Sequence, residues 1–423
     1  MDERIEYKGY WWSKSNPKKN IAGTITYSPY ESITLELIGS FYEEDYVTAF
    51  LQQKHEDIIY GLTSESKKLT LVNCSAYGTL NSNCPFPIQK YTCQYLIIGT
   101  HIENFDQSIF FKADVRYPLL SSWCHPCAIY TSLQHNEKGT IEGINISFNS
   151  NRDPIDSVCI DDSTQLILRS GINYEGDYYS PKIEQYTYLN IVKTINASIP
   201  DFFRDITIYE QFLSFATMID VRCSDIKLYS QEEYQEINNE KHYNPIQLMY
   251  IHRDYIVPAD KSNCDFLFSY NLVKDKYPII LKKWYSDSNI TPIRQHLIDS
   301  IKRKKVFSSV DFLVVAQALE GFHIRFRKEV SLTDTINQLI KEFSDIDKIK
   351  QDTINVQEVV DSRHYYSHFM DRKKKKYIVD GYELYFLTIK LKRLLVCCLL
   401  NFVGFENGEI NIILTKSNNS LFK

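Results

Sequence analysis

Arg363 and His368 lie in the stretch Asp361-Ser-Arg-His-Tyr-Tyr-Ser-His368, directly before the basic run Arg372-Lys-Lys-Lys-Lys376. These residue types are suited to phosphodiester chemistry. A guanidinium offers paired donors to phosphate oxygens and stabilises charge that builds there. An imidazole titrating near neutrality can take the proton of a ribose 2′-hydroxyl or protonate a leaving 5′-oxygen. Such a pair would cleave RNA without a metal, leaving a 2′,3′-cyclic phosphate and a 5′-hydroxyl. DNA lacks the 2′-hydroxyl and would be inert by this route. Taken alone the pattern is weak, because an arginine and a histidine five positions apart arise by chance in many chains of this length.

Spacing refines the picture. Five residues of α-helix turn through about 500°, which leaves Arg363 and His368 about 140° apart around the axis. A long arginine can reach round, or it can lie at the irregular start of the helix. His364 and His368, four apart, share a face. They would serve as a metal clamp only with a third ligand, and no acidic residue stands between them to act as a base. The lysines Lys373, Lys374, Lys375 and Lys376 could grip backbone phosphates, as could Lys302-Arg-Lys-Lys305. Runs of this kind are more often solvated loops, although closeness to the motif favours Lys373 and its neighbours.

The elements that must position these residues fall into an α+β, multidomain pattern. Residues 1–200 read as a β-rich domain, sandwich or open-barrel-like, with alternation in Ile21–Tyr27 and Ser32–Ile38 around the turn Ser28-Pro-Tyr-Glu31. Further strands are expected at Ile58–Leu62, Leu69–Val72, Tyr95–Ile98, Ser108–Val115, Thr140–Phe148 and Leu166–Leu168. Residues 201–280 read as a mixed connecting region, with a helix over Phe202–Ile219 and strand-like runs at Ile246–His252 and Asp265–Leu272. Residues 281–423 read as an antiparallel helical bundle, with helices near 292–304, 310–328, 332–344, 353–370 and 381–403.

This arrangement resembles the ApeA-like HEPN ribonucleases. Arg363, the polar His364, three variable positions and His368 match the HEPN signature. Asp311-Phe-Leu-Val-Val-Ala-Gln-Ala-Leu-Glu-Gly-Phe-His323 is similar to the alanine-leucine-glutamate helix of the ApeA-like group. Trp11-Trp12, the Gly23–Gly39 hairpin and Tyr117-Pro-Leu-Leu-Ser-Ser-Trp123 are similar to the β-rich domain that precedes HEPN in anti-phage proteins of this type. The resemblance implies a four-helix HEPN fold, a homodimer whose two motifs face each other across one RNA cleft, and abortive-infection defence against phage. Host or phage RNA, transfer RNA included, would be the target. In that setting Arg363 and His368 are catalytic, and His364 either joins them by polarising or positioning the phosphate or is a polar interface residue. Glu320 and His323 either support the site or form a hydrogen-bonded pair inside the bundle. A second class of function stays open, in which a non-catalytic helical domain binds RNA and dimerises while the β domain senses a ligand.

Composition narrows the rest. A net charge of −5 means that RNA affinity must come from local patches. The 31 tyrosines and 23 phenylalanines suit large sheet and core surfaces. No phosphate-cradling glycine loop is present, so ATP hydrolysis is not expected. The start Met-Asp-Glu-Arg lacks a signal-peptide core, and the apolar run Leu394–Phe405 is too short to span a membrane. A cytoplasmic protein with ten reduced cysteines is therefore expected. No cofactor is required by the chemistry. Cys124 and Cys127 form a CxxC that could hold a structural zinc with Cys74, Cys84 or Cys93, although the signal lacks a second close pair. Cys397 and Cys398 read as core. A nuclease harmful to its host must be restrained, which makes the β-rich domain the candidate sensor of a phage-derived trigger.

Overall fold

The computed structural model describes residues 4–41, 55–77, 88–125, 129–148, 154–177, 179–258, 265–303, 308–374 and 376–422. Period-two sequence becomes strand where one set of side chains can be buried. In β3 (Ser32–Ile38), Ile33, Leu35 and Leu37 are fully buried while Thr34 and Glu36 point away. β3 joins β2 (Asn16–Ser28) through the expected turn, closed by the Glu31 amide donating to the Ser28 carbonyl at 3.1 Å. With β1 (Ile5–Ser13), β4 (His55–Thr63), β5 (Lys68–Tyr77) and β6 (Ile88–Ile98), these strands run in the order β6-β3-β2-β1-β4-β5. Because β5 also pairs with β6, the sheet closes into a six-stranded antiparallel barrel. The barrel expected to be open is thus closed, which removes its edge strands. Trp11 fills it together with Ile25, Leu69, Leu71, Tyr91 and Leu96. Gly61 is required where Trp11 lies against β4, since a Cβ there would come within 2.3 Å of the indole ring.

β6 is shared along one edge by two strands of a single twelve-stranded sheet. Its residues 88–93 pair with β3, and residues 95–98 pair with β16 (Ile246–Tyr250). From that fork the sheet continues through β13 (Asp225–Ser230), β7 (Phe110–Arg116), β12 (Lys182–Ala197), β11 (Thr164–Glu175) and β10 (Asp156–Cys159). Residues 201–280, read as a connecting region, therefore supply two strands to the middle of the sheet, and strand pairing continues past residue 200. The run Asp265–Leu272 is not a strand. Phe266, Leu267 and Phe268 are consecutively buried, which a one-faced strand cannot do, and the chain turns into the short helix at Tyr270–Val273. Two hairpins, β8 (Ile129–His135) with β9 (Ile141–Phe148) and β14 (Tyr234–Ile237) with β15 (Glu240–Tyr243), stand outside the main sheet.

The helices follow their caps. With α1 (Leu120–Cys124) the first in chain order, α2 (Ile199–Thr217) opens on a reciprocal capping box between Ser198 and Asp201. It is tied to β12 by the buried ion pair of Lys193 and Asp205, 2.5 Å apart. After α3 (Tyr270–Val273) come α4 (Tyr277–Ser286), α5 (Thr291–Lys302), α6 (Ser309–Phe326), α7 (Leu332–Glu342), α8 (Asp347–Gln351), α9 (Val356–His368), α10 (Gly381–Val403) and α11 (Asn407–Lys416). Ser308, Ser331 and Asn355 cap α6, α7 and α9. α10 is apolar around most of its circumference, so it forms the bundle's core helix, with Leu394–Leu400 fully buried, Cys397 and Cys398 included. One continuous core joins the sheet extension to these helices. Among the described residues no helix is long and apolar enough to cross a membrane.

Candidate active site on the last turns of α9

Residues 361–368 form the second half of α9, the expected setting for the arginine and histidine. Arg363 does not stand alone. Its Nη2 donates to Glu320 Oε2 of α6 at 3.2 Å, with both side chains about one quarter exposed. A partly exposed pair is aimed without being buried, and among the described residues the other guanidinium donors have no partner. His368 ends the helix and is exposed; Phe369 then takes a left-handed conformation (φ 50°) that stops further helical turns. His364 packs one turn earlier, its ring centroid 6.1 Å from that of His368. The α9 frame therefore brings Arg363 to Glu320, sets His364 beside His368, and presents His368 at the helix end.

His323 goes elsewhere. It is buried, and its Nδ1 donates to the Lys328 carbonyl at 2.7 Å. Of the two candidate supporters, Glu320 meets the arginine, whereas His323 closes the C-terminal turn of α6 inside the bundle. Three positions on a helix are about 60° apart in projection, enough to separate a rim residue from a core residue. Among the described residues no group of three His, Cys, Asp or Glu side chains could hold a metal, so the His364–His368 clamp has no third ligand there.

Side chains just ahead of the arginine fasten the basic loop, a role their sequence did not suggest. Asp361 is buried and accepts from the Tyr377 amide at 3.1 Å and from Gln357 at 2.9 Å. Ser362 Oγ accepts from the Val379 amide at 3.1 Å, and the Tyr366 hydroxyl donates to the Val379 carbonyl at 3.1 Å. Burial raises the Tyr366 phenol above its ordinary range, which keeps it a donor. Arg372 pairs with Asp380 at 2.7 Å. Tyr377 and Val379 are thus held against α9, and Lys373 and Lys376 are exposed. Lys374 ends a single 3₁₀ turn (Arg372–Lys374), and Lys375 lies outside the described residues. Of the other basic run, Lys302 ends α5 and Arg303 borders a cavity of about 290 Å³ with Asp311 and Lys392, while Lys304 and Lys305 lie outside the described residues.

Comparison with known families accounts for both halves of the chain. Residues 313–409 match the family model of the Apea-like HEPN domain. Residues 6–284, more than half of the chain, match that of ApeA N-terminal domain 1. The chain belongs to the ApeA-like HEPN family. No curated protein and no solved structure matches it. This is a family of anti-phage HEPN nucleases, and in this ApeA-like protein the HEPN match encloses Glu320, Arg363, His364, His368 and the whole loop after α9. The N-terminal match reaches past residue 200 and takes in β13 and β16, the strands that continue the barrel's sheet.

The cysteines of this ApeA-like chain are dispersed. Cys74 and Cys93 face each other across β5 and β6 inside the barrel, whereas Cys124 belongs to the larger core. Those three therefore do not come together. Cys84 and Cys127 lie outside the described residues. Burial pushes the Cys124 thiol well above its ordinary range, which keeps it protonated and unreactive.

Proposed function

We propose that this ApeA-like protein is a metal-independent endoribonuclease of anti-phage defence, acting by abortive infection in the cytoplasm. His368 moves the proton, removing it from the 2′-hydroxyl or supplying it to the leaving 5′-oxygen. Arg363 holds the scissile phosphate and stabilises the charge that develops on it. His364 sits on the same face as His368 and positions the phosphate. Lys373 and Lys376 hold neighbouring phosphates, with Lys374 and Lys375 in the same run. Two copies joined through the helical domain form one cleft. The exposed Phe369, Tyr382 and Phe386, in the segments flanking the basic run, supply apolar surface for that contact. RNA, transfer RNA included, is the substrate, and the β-rich domain restrains the nuclease until a phage-derived trigger is sensed.

The observation that carries this reading is the aimed pair: Arg363 is oriented by Glu320 from a neighbouring helix while His368 of the same motif remains open to solvent. The test is cleavage of total and transfer RNA in EDTA by wild type, Arg363→Ala and His368→Ala. Cutting by wild type to cyclic-phosphate ends, reduced by roughly a hundredfold or more in both variants, is expected. Equal cutting by all three would discard the site, and loss of cutting in EDTA would discard the metal-free route.

A further inference from the structure

At the fork where β6 leaves β3 for β16, a cavity of about 590 Å³ opens beside the barrel. Its volume falls within the roughly 300–1,000 Å³ of small-molecule sites. Two features set its chemistry. The first is charge: Arg222 and Arg253 are the ionised side chains of its lining, and among the described residues no carboxylate lines it, in a chain whose net charge is −5. The Arg253 side chain is exposed and, among the described residues, has no partner for its guanidinium. Arg222 lies over the Tyr255 ring at 5.0 Å and makes only long contacts, 3.4 Å each, to Asp220 and the Arg253 carbonyl. An anion could displace those contacts at small cost.

The second feature is a braced aromatic wall. Tyr95 and Tyr250 both line the cavity and both pack on Phe203 of α2, at 5.7 Å and 5.3 Å between ring centroids. Asn73, left-handed at φ 52°, donates to Gln94 at 2.8 Å, and Gln94 donates in turn to the Tyr95 hydroxyl at 3.4 Å, so amide groups line the cavity beside that wall. Guanidiniums for a phosphate, a rigid aromatic wall for a planar ring and amides for its edge fit one ligand class.

We propose that this cavity binds a nucleoside monophosphate, with its phosphate on Arg222 and Arg253 and its base against Tyr95 and Tyr250. The site is separate from Arg363 and His368 and does not depend on the nuclease reading. Calorimetric titration of the full chain with the four ribonucleoside 5′-monophosphates, adenosine and inorganic phosphate tests it. At least one monophosphate should bind, more tightly than adenosine or phosphate. Arg253→Ala, an exposed change that leaves the fold intact, should weaken binding about tenfold, and Arg222→Ala/Arg253→Ala further. Arg363→Ala should bind as wild type. Failure of all four to bind at millimolar concentration, binding unchanged by the double substitution, or phosphate binding as tightly as the nucleotides would each overturn the proposal.

Discussion

Arg363 and Glu320 are 43 positions apart in the chain and 3.2 Å apart in space, on two helices that carry the opposite halves of one ion pair. Both side chains remain about one quarter exposed, so solvent screening keeps the pair's contribution to stability small. Its consequence is directional: the carboxylate fixes where the guanidinium points.

Removing that carboxylate should therefore lower catalysis more than folding. Glu320→Ala is expected to reduce kcat for RNA cleavage about tenfold with little change in KM, because a mispositioned donor is lost from the transition state. Glu320→Gln, which keeps an acceptor oxygen, should fall between the two. Steady-state kinetics on a defined RNA decides this, and an unchanged kcat in Glu320→Ala would show that Arg363 needs no partner.

Asp361 fastens the basic loop from inside the bundle. Asp361→Ala strands the Tyr377 amide and should cost on the order of 1–3 kcal/mol of stability. The freed loop should raise KM more than it lowers kcat. Thermal unfolding with kinetics at a temperature where both proteins stay folded separates the two effects. A variant with unaltered KM would mean that anchoring the loop is irrelevant to binding.

Lys373 and Lys376 should act through phosphate charge alone. Their double alanine variant, measured by anisotropy on a His368→Ala background, should bind single-stranded RNA more weakly regardless of sequence. Its log K against log salt should be shallower by up to about 1.4, or about 0.7 per lost contact. An unchanged slope would show that these lysines are simply solvated.

His252 makes stability depend on pH. Burial first, and then the Arg222 charge, push its pKa down to about 4 from the usual 6.5. The unfolded chain thus binds a proton more readily than the folded one between these values. The contribution is fully present above pH 6.5 and is lost as pH falls towards 4, amounting to about 2 kcal/mol by pH 5. His252→Gln should flatten the dependence of melting temperature between pH 7 and pH 5. An equally steep profile in the variant would assign that slope to other groups.

Much of the local structure was legible. The helices over Ser309–Phe326, Leu332–Glu342 and Gly381–Val403 lie where apolar spacing placed them, and the structure adds the caps Ser308 and Ser331 and the stop at Gly404. Other elements were not. β12 alternates polar residues with tyrosines and pairs on both edges, and Asp265–Leu272 offers an apolar run that suits strand or buried turn equally well.

By itself the sequence determined which residues could do chemistry, that Arg363 and His368 share one helix, and which face of β3 turns inward. Each of these follows from side-chain type and from the local periods of helix and strand. Only the tertiary structure decided that β5 meets β6 to close the barrel and that β13 and β16 extend its sheet. It also decided that Glu320 reaches Arg363 while His323 is buried, and that Asp361 and Ser362 hold the basic loop. Alternation states which way a side chain points but not which strand or helix stands opposite. That choice is made by hydrogen bonds and packing between segments far apart in the chain.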